Sequence, residues 1–229
     1  SKPPSSLDEI YARSVVAHLD APTSGRVRST KTSREELEAE ALRLACASTL
    51  CERLNIELPS ESDESSPLAL SARTIVRALR ESDLTYLLGS DFFEESGHHQ
   101  VKIQPDDIRF YLGARRLSLL IAGREDALKV SQLLGWIAPT GERGIFGPFI
   151  PLAGWLAALN VYFRDECMEL DPQCVAFFGD LRSTPPQDAE RALRAALLRI
   201  ASGERIGRGA YTLTSENYWQ AGASSLLPS

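Results

Sequence analysis

Apolar residues recur at helical spacing along most of this chain and alternate only briefly. In "SSLDEIYARSVVAHL", Ser6 and Glu9 have the spacing of a capping box, and Ile10, Val15 and Leu19 predict a short helix. "SREELEAEALRLACASTLCERLNIEL" opens on a second box, Ser33 with Glu36. Leu37, Ala41, Leu44, Ser48 and Cys51 then predict a helix ending before Pro59. "LSARTIVRAL" and "SDLTYLLGS" predict two short helices, the second with Leu84, Leu87 and Leu88 on one side and Gly89 as its stop. The β-favouring pairs Phe92–Phe93 and Val101–Ile103 flank Gly97 and predict a hairpin turning there. Two short helices followed by a hairpin is the order of a winged helix.

The next stretch, "HHQVKIQPDDIRFYLGARRLSLL", runs from that hairpin into an amphipathic helix. Pro105 suits its first turn, Asp106 and Asp107 suit its positive end, and Phe110, Ala114, Leu117 and Ile121 form its stripe. Further helices are expected over 126–137 and along "FIPLAGWLAALNVYFRDECMEL", read as one strong helix. Asp171 with Pro172 starts a short helix. Thr184 and Gln187 box a last one, with a Leu193, Leu197 and Ile200 stripe. Trp155, Leu159 and Phe163 continue one face, so Trp155 is expected to be buried, joining the helical halves. No strand–helix alternation supports a parallel sheet. The predicted fold is mainly α: a helical subdomain with an acidic loop over 1–66, a winged-helix-like element with one short β-hairpin over 67–122, and an α-helical array, the start of a solenoid, over 123–229.

With 31 acidic and 25 basic residues the net charge is −6, which argues against a nucleic-acid-coating surface. The four cysteines, Cys46, Cys51, Cys167 and Cys174, lack the tight spacing of zinc sites. They read as buried free thiols of a reducing cytoplasm. No apolar run reaches the roughly 18 residues of a membrane span. The start "SKPPSS", without Met, and the single Met168 suggest a piece of a longer protein.

Candidate chemistry is sparse. His98 and His99, adjacent on a strand, would point to opposite faces and could not share one metal ion. Gly141, Gly144 and Gly147 lack the preceding strand and the Lys of a phosphate cradle, and read as a linker. "GERIGRG", with Arg205 and Arg208, could grip an anion but reads as an ordinary loop. No catalytic, cofactor-binding or metal-binding residues are assigned. The residues expected to contact another domain or a partner are Phe110, Tyr111, Arg115 and Arg116.

The run "FFEESGHHQVKIQPDDIRFYLGARRLSLL" resembles the winged-helix end of STAND NTPases, the NACHT-like signal-transducing ATPases of bacterial antiphage defence. Val101, Lys102 and Ile103 occupy its wing strand. Tyr111, Leu112, Gly113, Ala114, Arg115 and Leu117 fill its "Y-L-A-A-R-x-L" segment. Phe110 stands where a Glu is usual, and Gln104 where a His is usual. "GPFIPLAGWLAALNVYFRDECMELDPQCVAFFGDL" resembles the start of the downstream array, in a "W-L-A-A-L…F-R…DP-x-x-x-x-x-GD" cadence. The likeness spans roughly 33–200. It implies a non-catalytic, sensor-proximal fragment coupling ligand recognition to an ATPase core upstream, where ATP and Mg2+ would bind. Partners would be that core, a phage protein ligand and further copies of the chain. The competing expectation is a free-standing helical or winged-helix module that binds protein or DNA.

Overall fold

Ser33 starts the second helix as its box predicts. Its hydroxyl accepts from the Glu36 N–H at 3.1 Å, and the Glu36 carboxylate accepts from the Ser33 N–H at 2.7 Å. A computed structural model describes residues 4–20, 32–59, 67–121, 128–138 and 144–201. Residues 8–116 form one compact unit, and the residues from Leu117 onward belong to another. This division falls at 116 and 117.

The first unit contains α1 (Leu7–Asp20), α2 (Arg34–Leu50), β1 (Asn55–Glu57), β2 (Leu70–Ser71), α3 (Ala72–Ile75), α4 (Glu81–Leu88), β3 (Phe93–Gly97) and β4 (Gln100–Ile103). Helix α2 stops eight residues earlier than its spacing suggested. After the cap at Cys51, Glu52 takes a φ of 52°, and Ile56 joins a sheet fully buried. The predicted two-stranded wing is thus part of a four-stranded sheet in the order β2-β1-β4-β3. β1 runs antiparallel to β4, pairing Ile56 with Val101, and β4 antiparallel to β3, pairing Lys102 with Glu94. β2 adds to β1 in parallel through Ile56 and Leu70. From α2 to β4, with β2 as an addition, the order helix–strand–helix–helix–strand–strand is that of a winged helix. Leu44, Leu84, Leu87, Phe92 and Ile103 are among the buried core residues of this unit. Of "LSARTIVRAL" only four residues are helical, because Leu70 and Ser71 are used by the sheet and the Ser71 hydroxyl caps α3.

Helix α5 (Asp106–Ile121) follows Pro105 and carries the chain past the division. Beyond it lie α6 (Val130–Ile137), a 3-10 turn (Gly147–Phe149), α7 (Ile150–Leu159), α8 (Val161–Leu170), α9 (Pro172–Phe178) and α10 (Pro186–Ala201). The expected single helix over 149–170 is two helices, broken at Asn160. Its backbone is extended, and its side chain accepts from the Phe163 N–H at 3.1 Å to cap α8. Helix α9 packs against α7, α8 and α10. The approach of α7 to α9 is backbone to backbone at Gly154: a Cβ there would lie 2.5 Å from the Cys174 carbonyl oxygen. Among the described residues no helix is long and apolar enough to cross a membrane.

Two patterns in α10 read differently in three dimensions. Among the described side chains of α10, Ala192 and Ala196 are fully buried, whereas Leu197 is 55% exposed and Leu193 intermediate. The Ile200 side chain lies outside the described residues. The helix sits close to its neighbour, so small residues form the inner face. Thr184 donates to the Asp180 carbonyl oxygen at 3.1 Å, closing the preceding turn.

Candidate functional site

The four residues singled out for partner contact lie on the helix leaving the hairpin, and all residues of 108–114 are buried. Phe110 is 3% exposed, with the Arg109 guanidinium 4.3 Å from its ring centre. Arg109, itself buried, donates to Asp106 at 3.2 Å and to the Thr49 hydroxyl at 3.4 Å. Tyr111 is fully buried. Its hydroxyl donates to the Asp8 carboxylate at 2.8 Å, and Tyr11 stacks on its ring at 5.2 Å. Burial, and then the bond to Asp8, hold the Tyr111 hydroxyl well above the ordinary tyrosine range. Phe110 and Tyr111 therefore belong to the core of the first unit and offer no surface in this conformation. An apolar stripe was the visible signal, but the helix is enclosed on more than one side, so adjacent positions are buried together.

Arg115 and Arg116 are half-buried and differ in their bonding. Arg115 pairs with Glu38 of α2 at 2.8 Å and lies 5.7 Å from the centre of the Tyr111 ring. Arg116 acts electrostatically on Glu40 and Cys46 of α2. Glu40 is 4% exposed. One of its oxygens is 3.3 Å from Arg43, and the other has no hydrogen-bond partner. Desolvation raises its carboxyl above the usual range, against the lowering pull of Arg43 and Arg116. Glu38 and Glu40 carry no sequence signal of their own: they sit in "REELEAE", which reads as a solvated acidic face.

The remaining candidates disperse. His98 and His99 form the turn itself, between Gly97 and Gln100, rather than a strand, and His99 has a φ of 55°. Their rings are 4.1 Å apart and exposed, which removes the opposite-face argument. No group of three or more metal-ligating side chains occurs among the described residues. Gly141 and the Arg205–Arg208 loop lie outside the described residues. Gly144 has a φ of 120°, and its neighbour Ile145 donates to the Asp171 carboxylate at 3.2 Å. Asp171 thus anchors that loop and makes no side-chain cap to α9. Cys46, Cys167 and Cys174 are buried and free as expected, but Cys51, at the end of α2, is exposed.

The cadence in the second unit is accounted for by packing. The buried Arg164 donates to the Ala157 and Ala158 carbonyl oxygens at 2.8 and 3.2 Å, and pairs with Asp188 at 3.4 Å. A Cβ on Gly179 would lie 2.8 Å from the Gly154 carbonyl oxygen. Asp180 accepts from Ser183 at 2.7 Å in the turn before α10. These positions fix helix ends and helix contacts. No protein-family model, curated protein or solved structure matches this chain.

Proposed function

We propose that this chain is the regulatory, sensor-proximal part of a STAND NTPase of antiphage defence, transmitting ligand recognition to an ATPase core that precedes it. The observation that carries the reading is α5: one helix leaves the last strand of the winged-helix unit and continues past residue 116 into the helical second unit. That succession of elements is the one the sequence resemblance implies. A rigid helix is a suitable transmission element because packed elements shift between discrete arrangements rather than deform smoothly. Glu38–Arg115 holds α5 to α2, and the half-satisfied Glu40 beside Arg116 is a place where a second arrangement costs little. In this reading the chain does no chemistry itself, and ATP and Mg2+ belong to the upstream core.

A DNA-binding module is the weaker reading. Helix α4 would have to enter a groove. Its start carries Glu81, and the hairpin after it exposes Glu94 and Glu95, which oppose phosphate. The proposal is tested by calorimetry with ATP and Mg2+. The 229-residue chain alone gives no binding heat, and a chain extended upstream through a P-loop segment binds. Micromolar binding by the chain alone, or a gene with no P-loop upstream, overturns the reading.

A further inference from the structure

The first unit distributes its arginines unevenly. Arg13, Arg34, Arg43, Arg109 and Arg115 each have a carboxylate within 4.0 Å. Arg53, Arg73, Arg77 and Arg80 are all exposed, and none of them has such a partner among the described residues; nor has Arg116, which is half-buried on α5. They also share one part of the fold. The Arg53 guanidinium reaches the Ala69 carbonyl oxygen at 3.4 Å, beside β2. Arg73 donates to the Leu79 carbonyl oxygen at 2.7 Å, and Arg77 to the Thr74 carbonyl oxygen at 3.2 Å. Arg80 is the residue before α4. Backbone carbonyls thus accept one bond from each of three of the four guanidinium groups, all on exposed residues.

We propose that Arg53, Arg73, Arg77 and Arg80 form a docking surface for an acidic protein segment. In a chain with net charge −6, four exposed arginines in one region with no carboxylate partner among the described residues are an exception to the general balance. A guanidinium fork accepts a carboxylate with two parallel hydrogen bonds, and fixing the fork beforehand lowers the entropy lost on binding. A protein segment fits better than a nucleic acid. A duplex presents one charge per roughly 1.7 Å along its whole length, and Glu81, Glu94 and Glu95 in the adjoining helix and hairpin would repel it. A short acidic segment confines its charge to the arginines. This surface stands apart from the STAND reading, since it rests on the arginines alone.

The test is fluorescence anisotropy of the 229-residue chain with a labelled oligoglutamate peptide, and separately with a short labelled duplex DNA, at low and physiological salt. Wild type binds the peptide in a salt-sensitive manner. Arg77→Gln with Arg80→Gln weakens binding about ten-fold. Adding Arg73→Gln weakens it further, and circular dichroism verifies the fold of both variants. Arg13→Gln with Arg34→Gln, which removes two paired arginines, changes affinity less than about two-fold. Three results overturn the proposal: no peptide binding at low salt, equal losses in the patch and control variants, or tighter binding of DNA than of peptide through the same arginines.

Discussion

The α-carbon of Gly179 and the carbonyl oxygen of Gly154 are so close that a Cβ on the first would lie 2.8 Å from the second. This contact sets the distance between α7 and α9. A Cβ on Gly154 would also meet backbone, 2.5 Å from the Cys174 carbonyl oxygen and 2.6 Å from Phe178, so nothing there can turn aside. Gly154→Ala is expected to cost about 3 kcal/mol and to lower the melting temperature by about 10 °C. Gly135, inside α6, has nothing within 4 Å of the place a Cβ would take. Gly135→Ala is expected to stabilise by about 0.5–1 kcal/mol, because alanine is the better helix former. Paired thermal melts check both signs.

Trp155 sits on α7 at 5% exposure, with Leu152 and Leu156 of the same helix fully buried. Trp155→Ala is expected to cost about 3–5 kcal/mol, a large share of the stability of an ordinary domain. Trp136, by contrast, is 60% exposed, and Trp136→Ala is expected to change stability by less than about 0.5 kcal/mol. Urea unfolding with unchanged slope separates the two.

The thiols divide three to one. Ellman titration of the folded chain is expected to find Cys51 alone reactive, and all four thiols after denaturation. Burial pushes the Cys46 thiol up from 9.0 to about 11. The unfolded thiol therefore loses its proton first as pH rises. Between pH 9 and 11 the folded chain binds more protons than the unfolded one, and stability falls with increasing pH. The contribution of this group is at most about 1.4 kcal/mol per pH unit. Cys46→Ala is expected to flatten the slope of unfolding free energy against pH in that window. A slope unchanged by the substitution would contradict it.

Arg115→Glu places a second carboxylate against Glu38, 2.8 Å from where the guanidinium stood. Both side chains are partly exposed, so the expected loss is about 1 kcal/mol. Glu38→Arg added to Arg115→Glu restores the pair with its signs exchanged and is expected to recover most of that loss. A double-mutant cycle measures the coupling.

The helices were legible wherever local chemistry decides. Ser33 with Glu36 marked the start of α2, Pro105 with Asp106 and Asp107 marked the start of α5, and Gly89 marked the end of α4. Strand β1 was not legible. "NIE" follows a helical pattern and becomes a strand only because Val101, far along the chain, pairs with Ile56. The break at Asn160 was hidden because apolar residues continue through it. The inward face of α10 was misread because close packing selects Ala192 and Ala196 over the leucines. At the candidate site, Tyr111 and Arg115 were visible as residues. Their partners Asp8 and Glu38 were not, since a long-range pair leaves no periodic trace.

If α5 transmits a signal along the chain, breaking that helix uncouples the trigger from hydrolysis. Leu119 is 57% exposed near the end of α5, so Leu119→Pro interrupts the helix with little loss of packing. The quantity to measure is the rate of ATP hydrolysis by the longer ATPase that the proposed function implies, with and without its trigger. Transmission through α5 predicts that the variant keeps its basal rate and loses the triggered increase. A full triggered increase in a folded Leu119→Pro protein would contradict it.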